Sequence, residues 1–584
     1  MKVPLLSALT TVTSILVSTP SPTEAALSIP SSTNSTRAAI VYATSQQISN
    51  VDRQFPVGDK YYPIIPGPTP MSSLYNKTVM SQLAKISTLD NKNVSIVGGV
   101  LQKMGPYKSL ESFKAGYDAL KSAGLIDIPQ AFDNSDENFG AMRLGIRGYK
   151  IKLVNSNEWA DPLNCLSSCL VREQCNEDTI SAAISNHKVF VQDFSTIGQY
   201  TDTNQTASKY VPNVVGFFCN NNANGLLLPL AIKIVDTGLT YTKEDTAGEW
   251  QLAKMALDAA ELSYQQMFHF VQMHAVAIPI QVEMMRSMAE EHPIYALLNY
   301  HFFGDLALET LAGKVLFSVD SPYDQSFAFG ASGSLRFNYA QLNDTSFAKE
   351  IAKDFPAEIA DNGLQYLPSH RYVKYGTTYY SIIKSFVTSY VNAYYSSNEA
   401  IRNDVELQTW LARVRVLGGR GSEVENEFRV SWGTEVPDPT DITSLIKLVT
   451  NFAFRSSVKH HFMNGRVSWH SIAAPFSTPA LYNTRLPTQK GVRVNPFDYA
   501  IPSEKFPAVS ALAVSFYRPM PATETVLRAY TTAPFSDEPV LEDAIAEYHL
   551  SMAAMEDTVD TTEAEEQYPD IFTKPSMLPW FTYI

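Results

Sequence analysis

The sequence predicts a mainly α fold: one large helical domain with a small mixed α/β region at its N-terminal side. Three observations point there. From Glu249 onward the stretch EWQLAKMALDAAELSYQQMFHFVQMHAVAIPIQVEMMRSMAEE carries apolar residues at three- and four-residue spacings on every side, the mark of a central buried helix. Ahead of it, residues 145–240 hold short β-like runs, HKVFVQDF at 187–194 and LLLPLAIKIV at 226–235, separated by Asn, Asp and Gly clusters. The composition, 45% hydrophobic and 18% charged, is that of a chain that folds.

Taken in order, the chain opens with Lys2 ahead of an apolar stretch from Leu5 to Val17 and small residues at Ala25 and Ala26. That is the layout of a secretory signal peptide, residues 1–26. Residues 27–60 are rich in Ser, Thr and Pro and read as a flexible lead-in, with the ordered part, 61–584, starting near Tyr61. After the mixed region and the long central helix, further helices are expected at Tyr379–Tyr395, Val405–Val416 and Thr440–Asn464. The terminal MLPWFTYI is apolar and aromatic and is expected to be tucked inside. No stretch reaches about 18 uninterrupted apolar residues, so no transmembrane segment is expected. The expected location is extracellular, as a secreted monomer.

Acceptor sites at Asn34, Asn76, Asn93, Asn204 and Asn343 fit passage through the secretory pathway. Cys165, Cys169, Cys175 and Cys219 lie in one stretch, and an even set in an oxidising compartment favours two disulfides, with three pairings open. Their spacing departs from the paired CxxC of a zinc ribbon. With 59 acidic against 45 basic residues and a net charge of -14, the basic excess of a nucleic-acid binder is absent.

Histidines number ten and cluster: His269 and His274 on the central helix, then His292 and His301, then His460, His461 and His470. A single buried histidine is usually a core residue; pairs on apolar helices point to a ligand set. His269 and His274 are five positions apart, about 140° around a regular helix, and a π-bulge would bring them into line. His460 and Asn464, four apart, share a helix face without distortion. There is no HExxH, against a zincin.

The run from His269 to His301, HFVQMHAVAIPIQVEMMRSMAEEHPIYALLNYH, closely resembles the metal-binding helix of lipoxygenases: His, four residues, His, then a His-Pro pair, Leu-Leu and a further His. The likeness extends through PLAIKI at 229–234, Trp250, Lys254 and Asp258, YVNAYY at 390–395, DVELQTW at 404–410 and HHFMNG at 460–465. The final residue is Ile584, where the family uses a free C-terminal carboxylate as its last metal ligand. The resemblance implies a ligand set of His269, His274, His460, Asn464 and Ile584 holding one manganese or iron ion. It implies hydrogen abstraction by a trivalent metal hydroxide from the doubly allylic carbon of a polyunsaturated fatty acid of linoleic or α-linolenic type, then trapping by O2 to give a hydroperoxide. It further implies Gln265 supporting the ligands, and Ala312 and Leu316 in the channel controlling oxygenation.

There are departures. Ala277 stands where many members have Glu, and Val467 where plant members have a second Gln. His461 beside His460 leaves two histidines near one ligand position; His460 has the family spacing to Asn464. The chain lacks room before the catalytic part for the N-terminal β-sandwich lipid-binding domain. With secretion, this resembles the fungal type, several of which use manganese. Two other readings compete: a secreted lipid-binding glycoprotein that keeps the lipoxygenase fold without catalysis, and an iron oxygenase with a two-histidine, one-carboxylate triad, for which Glu283 is the carboxylate at hand.

Overall fold

The structure, a computed structural model, describes residues 26–582 apart from 32–33, 53–54, 58–59, 63–67, 71–79, 82–95, 102, 126–131, 146–148, 156–158, 165, 203–208, 222–224, 343, 345, 347–348, 350–352, 418–438, 465–475, 483–484 and 517–520. It is mainly helical, as the periodicity predicts, and the described strands form one five-stranded sheet and three two-stranded pairs.

The segment read as a flexible lead-in is packed instead. It contains α1 (Ser35–Ser45), whose first turn is closed by the Asn34 side chain accepting from the Arg37 backbone N–H. Arg37 is buried and grips Glu406 with two bonds of 2.6 and 2.8 Å. Composition misled here because Ser, Thr and Asn serve as caps as readily as they fill loops, and one arginine in a fork–fork pair anchors a short helix.

The mixed region forms a five-stranded antiparallel sheet whose spatial order follows the chain: β1 (Ile151–Leu153), β2 (Val189–Phe194), β3 (Val214–Asn221), β4 (Leu226–Ile234) and β5 (Leu239–Tyr241). β2 and β4 match the two sequence-read runs. Pro229 is tolerated inside β4 because Phe217 pairs with Ala231 while Phe218 pairs with Pro229, leaving Leu230 as an extra residue in a bulge. Glycine at 216 is required by packing: a Cβ there would meet a Leu257 methyl at 2.4 Å. That contact seats the central helix on the sheet.

The opposite side of the sheet carries a smaller core of Leu163, Leu170, Val171 and Cys175. Cys175 is bonded to Cys219 of β3 with their Cα atoms 5.1 Å apart. The expectation of two disulfides is therefore corrected: Cys169 is a free, exposed thiol, on a short helix whose other cysteine faces inward. Cys165 lies outside the described residues. A zinc site is disfavoured, since a disulfide takes two of the four thiols.

The central helix α2 (Ala247–His269) is capped by Thr246, which accepts from the Glu249 N–H. It continues through a π-helical turn, Phe270–His274, into α3 (Ala275–Ser287). Nearly every residue along this rod is buried, as its all-round apolar pattern predicts. Around it stand α4 (Pro293–His301), α5 (Asp305–Val315), α6 (Arg371–Tyr394), α7 (Val405–Leu417), α8 (Ile442–Phe454), α9 (His460–Asn464) and α10 (Glu542–Glu565). Before residue 149 the described strands form only two-stranded pairs, with no β-sandwich among them. Among the described residues no helix is long and apolar enough to cross a membrane.

Of the five acceptor sites, Asn34 is exposed, and its Oδ1 accepts the capping bond from Arg37. Asn76, Asn93, Asn204 and Asn343 lie outside the described residues.

Candidate metal centre

Two distorted helices build this centre. In the first, the Ala275 N–H reaches back five residues to the Phe270 carbonyl, the bulge that the His269/His274 spacing demands. In the second, α8 passes through another π turn, Arg455–Lys459, and the His460 N–H reaches back to Arg455. The sequence reading took the His460/Asn464 pair as needing no distortion. That holds within α9, but the turn before it is wound to aim His460 inward.

His269, His274 and His460 converge as one buried group, with their ligand-competent nitrogens all within 4.8 Å of one another. The His274 and His460 Nε2 atoms are 3.1 Å apart. Among the described residues the Nδ1 of His460 has no hydrogen-bond partner, and neither has the Asn464 Oδ1, although that side chain is 2% exposed. Burial drives His269 and His460 well below the usual histidine pKa, and burial takes His274 down to about 3. Three neutral imidazoles and an unsatisfied amide oxygen aimed into a dry interior suit a cation, and an orphaned set of this kind is otherwise costly. The residues present fit a transition-metal ion of mixed N/O preference.

Asp305, which the sequence reading missed, supports the set. Its Oδ1 lies 2.8 Å from His274 Nδ1, and both groups are fully buried. Burial pushes the Asp305 carboxyl well above the ordinary range. Burial thus disfavours charge on this carboxyl, and positive charge among the rings favours the carboxylate. With Nδ1 so engaged, His274 turns its Nε2 lone pair toward the other rings. Gln265 is buried and donates through Nε2 to the Met463 carbonyl at 2.7 Å, tying α2 to α9.

The C-terminal strap passes beside these groups. His461 Nε2 donates to the Phe581 carbonyl at 2.8 Å, so His461 points at the strap while His460 points at the other imidazoles. His301 Nδ1 donates to the Trp580 carbonyl at 2.6 Å, its Nε2 accepts from the Tyr530 hydroxyl at 2.8 Å, and the His301 carbonyl accepts from the Thr582 N–H at 3.0 Å. Trp580 stacks on Tyr300 with centroids 3.5 Å apart. Trp580, Phe581 and Thr582 are buried, as the apolar terminus predicts. Ile584 lies outside the described residues, as does Val467.

Ala312 and Leu316 are buried on and just after α5. Phe317, the next residue, packs its ring on Phe270 with centroids 5.1 Å apart, which puts the end of α5 against the first π turn. Among the described residues the metal-competent group comprises the three imidazoles and does not include Glu283, which removes the facial-triad reading's carboxylate. His292 is also accounted for: its Nδ1 accepts from the Ile294 N–H, and its Nε2 meets Asp404 at 2.9 Å.

The lipoxygenase family model matches residues 149–568, well over half of the sequence. The chain belongs to the lipoxygenase family. Among lipoxygenase relatives, a manganese lipoxygenase from Pyricularia oryzae is 28% identical over 484 residues, covering 79% of this chain and 74% of that protein. One from Colletotrichum gloeosporioides is 25% identical over 512 residues, covering 82% and 80%. A solved manganese lipoxygenase structure superposes with a TM-score of 0.76 at 21% identity, covering 95% of this chain and all of that one, which establishes the shared lipoxygenase fold.

Proposed function

We propose that this lipoxygenase is a secreted dioxygenase that inserts O2 into polyunsaturated fatty acids of the linoleic or α-linolenic type, yielding hydroperoxides, with manganese as its resident metal. The observation that carries the reading is the convergence of His269, His274 and His460 beside the unpartnered Asn464 amide. The manganese lipoxygenases among its relatives favour manganese over iron.

In this proposal His269, His274, His460, Asn464 and the Ile584 carboxylate hold the ion. A redox-active ion so bound supplies the one-electron oxidant and proton acceptor that hydrogen-atom removal from a doubly allylic methylene requires. The chain's own residues do the remaining work. Asp305 fixes the tautomer and direction of the His274 ring, and Gln265 holds α9 against α2. His301 and His461 hold the strap that leads to Ile584. The apolar residues about α5, Ala312 and Leu316 among them, exclude water and position the diene, with Ala312 governing which end and face O2 meets.

The test is elemental analysis of the purified, untagged secreted protein beside an ultraviolet assay for conjugated-diene formation from linoleic acid. Near-stoichiometric manganese with diene formation is expected. Folded protein without metal would sink the ligand assignment. Metal without diene would favour the non-catalytic lipid-binding reading.

A further inference from the structure

Glu538 is a buried carboxylate, 9% exposed, that forms no ion pair with any lysine or arginine among the described residues. A hydrogen bond reaches it from the far end of the chain: the Leu27 backbone nitrogen donates to its Oε1 at 2.6 Å in a buried setting. The Tyr394 phenol faces the same carboxylate. Leu27 is itself buried, and the next residue continues the docking, the Ser28 N–H donating to the Glu291 carbonyl at 3.0 Å. Arg37 then donates to the Ser28 carbonyl and grips Glu406, whose Oε2 also accepts from the Ala289 N–H. Leu27, Ser28 and Arg37 thus buckle the connection from α3 to α4 onto α7 and onto the segment before α10.

A carboxylate taken out of water with an amide N–H and a phenol beside it but no cation is poorly compensated. The sequence places Ala25 and Ala26, the small residues of the expected leader cleavage site, directly before the nitrogen that Glu538 meets. We propose that removal of the leader completes an ion pair. Hydrolysis of the peptide bond after Ala25 or Ala26 leaves a carboxylate on the leader and a new α-ammonium on Ala26 or Leu27, and this ammonium becomes the counter-charge of Glu538. The processed chain is then latched by a charge pair at its own N-terminus, where the unprocessed chain holds Glu538 through an amide hydrogen bond. This inference rests on the secretory route proposed above and is independent of the metal and of turnover.

The experiment uses the full-length chain secreted by a eukaryotic host. Its N-terminus is read by sequencing and intact mass, and its α-amine is titrated with a reductive-methylation reagent in the folded state. Glu538→Gln is compared with wild type. Glutamine keeps a carbonyl to accept the N–H and removes only the charge, so an amide hydrogen bond survives the change and an ion pair does not. A terminus at Ala26 or Leu27, an α-amine protected in the wild type, and labelling about tenfold faster in Glu538→Gln support the latch. A terminus elsewhere, a freely labelled wild-type amine, or a Glu538→Gln protein with wild-type protection overturns it. Should Glu538→Gln fail to fold, the terminus and the wild-type protection still decide. Loss of metal or of diene formation with the latch intact would count against the dioxygenase reading alone.

Discussion

His461 Nε2 lies 2.8 Å from the carbonyl oxygen of Phe581, 120 residues further along the chain. A carbonyl only accepts, so this ring nitrogen carries the proton, and the imidazole beside His460 serves the strap. Replacing His461 with Leu leaves a buried carbonyl unsatisfied, a loss of about 1–3 kcal/mol, and frees the strap that leads to Ile584. His461→Gln, whose Nε2 can donate in the same place, restores it. The expected outcome is loss of bound manganese in the Leu protein and recovery in the Gln protein, measured by elemental analysis; equal metal content in both would show that the strap needs no such tether.

Asp305→Asn keeps the size of the side chain that meets His274 Nδ1 but removes its ability to become a carboxylate. Metal affinity is expected to fall about 10- to 100-fold, the usual effect of losing a partner that orients a ligand histidine. Competition with a chelator reads this directly. Unchanged affinity with unchanged folding would mean that the carboxyl merely fills space.

Ala312→Gly is expected to leave metal content intact and to alter the position or stereochemistry of the hydroperoxide. Chiral chromatography of the products decides the point, and an identical product profile removes Ala312 from oxygenation control.

Acid stability should carry the signature of His301. Burial lowers its pKa to about 4, from an ordinary value of 6.5. Its neutral form is required, since Nδ1 donates to Trp580 while Nε2 accepts from Tyr530. Between pH 6.5 and 4 the unfolded chain binds a proton at this residue that the folded chain refuses. Stability is therefore fully present above pH 6.5 and falls as pH drops toward 4, by roughly 3 kcal/mol in all from this group. His301→Asn keeps a donor for Trp580 and does not titrate. Denaturant melts across that window should show a shallower acid loss in the variant; parallel curves would refute the assignment.

What the sequence made legible was what local spacing encodes. The α2–α3 rod announced itself through its apolar period, and a spacing of five positions from one histidine to the next on one buried helix implied the π turn at Phe270–His274. The second π turn, Arg455–Lys459, left no such mark because no paired ligands span it. Asp305 and the strap contacts were invisible for a related reason: their partners sit 31 to 279 residues away, and a long-range hydrogen bond imposes no periodicity on either segment. Asn34 was read as a glycan acceptor and is also the cap of α1, since one side chain offers an amide nitrogen for the first role and an oxygen for the second.

The two π turns have a consequence for which insertions and deletions the chain tolerates. Each amounts to one surplus residue threaded into an otherwise regular helix. Excising one residue from Phe270–Met273 would let the backbone relax to ordinary α-helical pairing and leave the two histidines four apart, about 40° around the rod and still on one face. Such a deletion mutant would be expected to keep both its helix and the approach of His274 to His269, whereas the same excision elsewhere in the rod would turn everything beyond it by about 100°. The π turn is thus a place where this helix can lose a residue without losing the register of the metal site.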